Sequence, residues 1–124
     1  MSIRNRRALS QTQTSAALAN GTATDLVQVK LDANAVYTGP LVLYGFSLKK
    51  SAANGSVQVR FFADASRNVL LQQVTFSMTS ITLEAGDPSN NGRYAPSGVW
   101  WDAIGDATSA THTIDITCDV EPVN

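Results

Sequence analysis

The chain has little of the chemistry that most enzymes use, since it contains a single cysteine, Cys118, and a single histidine, His112. One cysteine excludes an intramolecular disulfide and therefore a disulfide-stabilised secreted domain. A zinc site takes three or four ligands of the His or Cys type, and the chain offers only these two. They lie roughly 20 Å apart if the segment between them is an extended strand, which excludes a Cys–His dyad within it. We expect no catalytic, metal or cofactor site.

Long apolar runs are also missing. No segment approaches the roughly 18–20 apolar residues that span a bilayer, and we expect no membrane partner. The basic start resembles the first part of a signal peptide, but a polar run follows it where an apolar one is needed. No glycine-rich phosphate motif occurs. The loop at 86–92 lacks the ligand pattern of a calcium loop. We expect a chain that is made in a cytoplasm and stays soluble.

Charged residues make up only 15% of the chain, and they are unevenly distributed. Residues 1–67 hold eight Lys or Arg against three acidic residues, a net charge of +5. Residues 68–124 hold one basic residue, Arg93, against seven acidic ones, a net charge of −6. Either both signs mix over the folded surface, or the halves present different surfaces and copies pair head to tail by charge.

The first 24 residues differ from the rest. They contain three arginines, no acidic residue and a polar run with few bulky apolar side chains, too few to form a core. We predict an extended N-terminal arm over residues 1–24 and a β-domain over residues 25–124. Arg4, Arg6 and Arg7 suit phosphates or an acidic protein surface. Because no aromatic residues lie among them, we favour a protein and expect no nucleic acid as the main partner.

After the arm, short segments of alternating apolar and polar residues are separated by turn signals such as Asn54-Gly55. No amphipathic helix is indicated. Short strands at this spacing are typical of an antiparallel β-sandwich or barrel. We predict an all-β, jelly-roll-like sandwich of seven or eight strands, with strands at 25–32, 41–48, 56–63, 69–76, 79–85, 93–104 and 111–120.

Two segments suggest contacts with a partner. Residues 41–44 are apolar on both faces, which fits a strand covered on both sides or one at a subunit contact, and Gly45 suggests a bulge. Adjacent strand residues point to opposite faces. Either one of the two tryptophans fills the core and the other faces solvent, a glycan or a partner, or both are buried because a loop or the arm covers the outer face. The predicted partner-interface residues are Arg4, Arg6, Arg7, Leu41, Leu43, Trp100 and Trp101.

The segment Gly39–Leu48, followed by a small-residue turn and Val57–Asp64, resembles a pattern in small virion proteins of tailed bacteriophages. Gly98–Trp101 and the Thr-rich Thr111–Asp119 correspond to the late strands of that pattern, so the resemblance covers roughly residues 36–120. It implies a non-enzymatic β-sandwich, often a trimer, bound to the major capsid lattice. Capsid decoration (cement) proteins, head fibres and tail components belong to this group.

These observations lead to one main hypothesis. We expect a virion structural protein at the capsid surface, most of all a decoration protein, that binds the major capsid protein or another virion protein through its arm and β-domain. We expect a homo-oligomer, with a trimer favoured. The alternatives are a tail or fibre module that binds a receptor or glycan, a cellular binding or scaffold domain and, least favoured, an enzyme.

Overall fold

A computed structural model describes residues 8–52, 54–77, 83–86 and 92–123. Within these ranges the chain is all β, with no helix and therefore none that is long and apolar enough to cross a membrane. The strands of this part are β1 Ala8–Leu9, β2 Gln13–Thr14, β3 Val27–Gln28, β4 Leu41–Lys50, β5 Ser56–Phe62, β6 Leu70–Ser77, β7 Leu83–Gly86, β8 Arg93–Ala95, β9 Trp100–Gly105 and β10 Ile114–Pro122.

The strands form two antiparallel sheets. The six-stranded sheet has the order β1-β10-β4-β7, with β2 also paired to β10 and β8 also paired to β4. The four-stranded sheet has the order β3-β9-β5-β6. The two sheets pack against each other, which confirms the predicted β-sandwich. The jelly-roll connection stays a prediction.

The core lies between the sheets because each long strand alternates in polarity. Val57, Val59 and Phe61 of β5 and Ile114 and Ile116 of β10 are at most 1% exposed, as the alternation predicts. Burying one such side chain stabilises the fold by about 1.5–3 kcal/mol. The turn between β4 and β5 also follows the prediction, since Asn54 (φ 74°) and Gly55 (φ 83°) both have positive φ.

A bulge in β4 changes which residues of the strand point inward. Asp119 of β10 pairs with Gly45, but the next residue, Val120, pairs with Leu43, so Tyr44 is the extra residue. The bulge shifts the alternation by one position. Leu41 and Leu43 before it and Phe46 and Leu48 after it all lie in the core. Leu41 and Leu43 are fully buried within their own chain, so the prediction that they contact a partner is wrong.

The N-terminal segment differs from the expected arm over the part that is described. Residues 8–14 pair with β10, and residues 19–24 lie along β9 of the other sheet. Leu18 is 2% exposed and belongs to the core. The segment therefore covers one edge of each sheet, where unpaired backbone groups would otherwise remain. Residues 1–7 lie outside the described part.

Three hydroxyl residues attach this segment by the same two-point contact, which we call a hydroxyl clasp. In each, the backbone N–H donates to the carbonyl oxygen of a facing residue, and the side-chain oxygen accepts the N–H of that same residue. The pairs are Ser10 with Cys118 (2.8 and 2.8 Å), Ser15 with Ile114 (2.8 and 3.0 Å) and Thr24 with Ala103 (2.9 and 3.1 Å). In a regular antiparallel pair a backbone carbonyl oxygen would accept this N–H, and here the side-chain hydroxyl accepts it instead. The clasps therefore hold a polar segment, which lacks the apolar alternation of a strand, against both sheets.

Candidate interaction surface

The structure separates the two adjacent tryptophans. Trp101 is 0% exposed and lies in the core, where its Nε1 finds no hydrogen-bond partner among the described residues. Trp100 is half-buried on the outer face of the four-stranded sheet, where it pairs with Phe62 of β5 and Gln28 of β3. The prediction that one indole fills the core and the other points away from it is confirmed.

Trp100 belongs to a mixed apolar and cationic surface. The pairing of β9 with β5 and of β5 with β6 places Asp102 beside Arg60, Arg60 beside Gln73, and Ile104 beside Gln58. Leu70, at the start of β6, is 51% exposed. We call this surface the arginine face and define it by Gln58, Arg60, Phe62, Arg67, Leu70, Gln73, Thr75, Trp100, Asp102 and Ile104.

The centre of the arginine face is an ion triad. Arg60 donates from Nε and Nη2 to the two carboxylate oxygens of Asp102, at 2.8 and 2.6 Å. Arg67 donates from Nε to Asp102 Oδ2 at 2.9 Å and from Nη2 to the carbonyl oxygen of Thr24 at 3.0 Å. The Asp102 side chain is 0% exposed, whereas those of Arg60 and Arg67 are 25% and 39% exposed. One buried carboxylate thus holds two guanidinium groups at the surface.

The triad leaves an excess of positive charge. Its two guanidinium groups carry two charges against one on Asp102, and the hydrogen bonds to Asp102 raise the pKa of Arg60. The Arg60 guanidinium also lies over the Phe62 ring, 5.2 Å from its centroid. Aromatic residues and arginine are the side chains most enriched among those that dominate protein–protein binding energies.

Beyond the triad, the same face contains a shallow concavity of about 250 Å³. It is lined by Ser56, Gln58, Thr75, Ile104, Gly105 and Asp106. Asp106 is engaged in the local turn, because its carboxylate accepts the backbone N–H groups of Ser56, Thr108 and Ser109 at 2.8–2.9 Å. These hydrogen bonds hold the pKa of Asp106 below its usual value.

The opposite outer face, that of the six-stranded sheet, includes three acidic side chains among the described residues. The outward positions of β10 include Asp115, Asp119 and Glu121, and Lys49 of β4 pairs with Asp115. Glu121 accepts a hydrogen bond from the Tyr44 hydroxyl at 2.7 Å, and Asp115 accepts one from Thr14 at 2.7 Å. We call this surface the acidic face and define it by Val42, Tyr44, Ser47, Lys49, Tyr94, Asp115, Thr117, Asp119 and Glu121.

Reactive groups do not converge in the described part of the chain. Burial raises the pKa of the Cys118 thiol to about 12, which suits a core residue and not a nucleophile. His112 Nδ1 is buried without a hydrogen-bond partner within these ranges. Likewise, no group of three or more His, Cys, Asp or Glu side chains among these residues is arranged to hold a metal ion.

The structure therefore changes the set of candidate contact residues. Of the predicted contact residues that the structure describes, only Trp100 lies on an outer face, because Leu41, Leu43 and Trp101 are in the core. Arg4, Arg6 and Arg7 lie outside the described residues. The sequence analysis missed Arg60, Arg67 and Asp102, which are 35–42 positions apart where they bond. The sequence did contain one indication of this site. Alternation places Arg60 on the outward side of its strand, and it places Asp102, two positions after Trp100, on the same side as Trp100.

Comparison with known proteins adds no relative: no family model matches the chain, and no curated protein matches it.

Proposed function

We propose that this protein is a virion structural protein, most of all a capsid decoration protein, that contacts a neighbouring virion subunit through its arginine face. The observation that carries the proposal is the arginine face itself, where a half-buried Trp100 adjoins two surface guanidinium groups. This composition is typical of the centre of a protein contact. The resemblance of residues 36–120 to small phage virion proteins supplies the kind of partner.

The mechanism would be mechanical. A rigid sandwich over a junction between capsid subunits resists their separation, and many weak contacts on one shell add up through avidity. Each stable contact of this kind buries about 1,200–2,000 Å² in total. The three arginines of residues 1–7 would add an electrostatic contact with an acidic protein surface.

Heads provide the direct test of this proposal. Expanded heads that lack the protein should release their DNA at a lower temperature than the same heads after the purified chain is added. The measurement is the midpoint of heat-induced DNA release, followed by a dye that fluoresces on DNA. An unchanged midpoint at saturating protein would contradict a role as a decoration protein.

A second candidate is a tail or fibre module that binds a glycan. A half-buried tryptophan beside an amide side chain also suits stacking against a sugar ring, and Trp100 pairs with Gln28. A glycan array with the full chain tests this candidate. Binding that is lost in Trp100→Ala would support it, and an array without hits would count against it.

A further inference from the structure

Strand β6 forms one edge of the four-stranded sheet. Within the described residues it pairs with β5 on one side only, so its other side presents backbone N–H and C=O groups without a strand partner there. The other edge strands are shorter: β1, β2 and β3 have two residues each, β7 has four and β8 has three. At eight residues, β6 is the longest edge strand in this part of the chain.

The sequence of β6 leaves this edge open to pairing. Natural edge strands avoid pairing through charged side chains, proline or short length, whereas β6 reads LLQQVTFS, with no charge and no proline. Its bulge lies near the start, where Phe61 pairs with Gln72 but Phe62 pairs with Leu70. Residues 72–77 are therefore in regular register with β5. We propose that β6 pairs antiparallel with β6 of a second copy of this chain, across a two-fold axis.

Apolar side chains lie along the same edge. Val74 and Phe76 pack against the core but remain partly exposed. The described residues include five exposed large apolar side chains, and two of them, Val69 and Leu70, lie at the start of β6. A strand added to β6 would therefore bury apolar area as well as complete the backbone hydrogen bonds of the edge.

A second copy matches this edge in symmetry and in charge. When a two-fold axis is perpendicular to the sheet, the inward residues of both strands lie on the same side, and Val74 and Phe76 of each copy extend one core. Residues of the same face must lie opposite each other, so the central registers place Gln73 opposite Gln73 or opposite Thr75. Their amide and hydroxyl groups can hydrogen-bond across the strands. Because β6 is uncharged, no like charges meet.

The size of the contact predicts a dimer that dissociates on dilution. Eight strand residues extend about 27 Å, and a two-layer sandwich with its outer side chains is about 20 Å thick, which gives about 540 Å² per copy. The total of about 1,100 Å² lies just below the roughly 1,200 Å² of a stable complex. The contact is isologous, so it closes at two copies.

The dimer goes beyond the proposed function and does not rest on it. It would, however, affect binding to a larger particle. The two-fold axis places the arginine faces of both copies on the same side of one continuous sheet of eight strands. Two weak contacts with a neighbouring surface would then act together.

Sedimentation velocity of the full chain, from low micromolar to millimolar concentration, tests the dimer. We expect a mean mass that rises from that of the monomer to that of the dimer and no further, because pairing uses the one edge. Since β6 carries no charge, the equilibrium should change little between 20 mM and 500 mM NaCl. A monomer throughout, or a trimer, would overturn the inference.

Hydrogen exchange locates the contact. In the dimer, those backbone N–H groups of β6 that do not bond to β5 gain an acceptor. Their exchange should therefore be at least fivefold slower at millimolar than at low micromolar concentration. Exchange in β9, in the interior of the same sheet, should be equal at both concentrations. Protection that appears outside β6 and not within it would overturn the inference, even if a dimer forms.

Charge variants at the exposed Gln73 test whether the edge meets itself. Gln73→Glu places two carboxylates within about 5–8 Å of each other in either register, and should weaken dimerisation at least tenfold. Gln73→Lys should do the same with two ammonium groups. An equimolar mixture of the two variants brings opposite charges together and should restore dimerisation.

The matched control is Gln11→Glu, which adds the same charge at an exposed position in the segment that covers the β10 edge. It should leave dimerisation as in the wild type. Equal weakening by Gln73→Glu and Gln11→Glu, or no recovery in the mixture, would overturn the inference. Binding to heads separates this result from the proposed function. A chain that stays monomeric but stabilises heads overturns the dimer alone, whereas a dimer that does not stabilise heads contradicts only the proposed function.

Discussion

Ser10 and Cys118 exchange two hydrogen bonds although 108 positions separate them: the Ser10 N–H donates to the Cys118 carbonyl oxygen, and the Ser10 hydroxyl oxygen accepts the Cys118 N–H, both at 2.8 Å. The same clasp recurs at Ser15 and Thr24. These contacts make the N-terminal segment a structural part of the sandwich from residue 8 onward.

Removal of a clasp hydroxyl should therefore destabilise the fold. Ser10→Ala leaves the N–H of Cys118 without its acceptor at a buried position, which costs about 1–3 kcal/mol. Equilibrium unfolding in urea measures the loss. The control is Thr12→Ala, because the Thr12 hydroxyl bonds to Thr117 at an exposed position and its removal should cost less than about 0.5 kcal/mol. Equal effects of the two substitutions would contradict the structural role of the clasp.

The Cys118 thiol should be unreactive in the folded protein. Its pKa is raised from 9.0 to about 12 by burial, so its thiolate fraction falls on the order of 1,000-fold, and its side chain is only 1% exposed. We expect alkylation by iodoacetamide at pH 8 to be at least 100-fold slower in buffer than in urea. Rapid labelling of the native chain would show that the N-terminal segment does not stay on β10.

The two tryptophans should respond differently to truncation. Trp101→Ala removes a fully buried side chain from the core and should cost about 3–5 kcal/mol. Trp100→Ala acts on the outer face and should cost about 1 kcal/mol or less. Urea unfolding of both variants, followed by circular dichroism, gives the comparison. A larger loss for Trp100→Ala would mean that the register of β9 is reversed.

Stability should fall in acid partly because of Asp106. Its folded pKa is depressed, first by the Ser109 N–H and then by the Ser56 N–H. Asp106 therefore stabilises the folded state fully above its pKa in the unfolded chain, near 4. This stabilisation is lost as the pH falls through its lower pKa in the folded state. Asp106→Asn should flatten the decrease in urea midpoint between pH 5 and pH 2. Asp25→Asn, at an exposed position, is the control, and the same flattening there would contradict the assignment.

The sequence predicts those parts of this fold that depend on local pattern. Alternation identified the inward faces of β5 and β10, and Asn54-Gly55 identified the hairpin turn. Alternation did not predict the inward residues along the whole of β4, because a bulge at Tyr44 moves the inward positions from Leu41 and Leu43 to Phe46 and Leu48. Bulges depend on the partner strand, and Gly45 gave only a hint of this one.

Local sequence pattern could not predict the contacts between residues that are far apart in the chain. Ser10 and Ser15 look like residues of a solvated arm until the hydroxyl clasps place them against β10. The arginine face was predicted only at Trp100, since Arg60, Arg67 and Asp102 meet through the register of three separate segments. Alternation along a strand predicts which face of the sheet each residue lies on. Which residues of different strands are neighbours depends on the strand order, and alternation does not predict that order.

Binding of the full chain to expanded heads tests the central claim most directly, namely that the arginine face contacts a neighbouring subunit on a virion. The measurement is the amount of protein that co-sediments with heads, for the wild type, Trp100→Ala and the control Val36→Ala, at an apolar residue 40% exposed outside both faces. The account predicts saturable binding of the wild type and the control, and at least tenfold weaker binding of Trp100→Ala. No binding of the wild type, or equal binding of all three proteins, would contradict it.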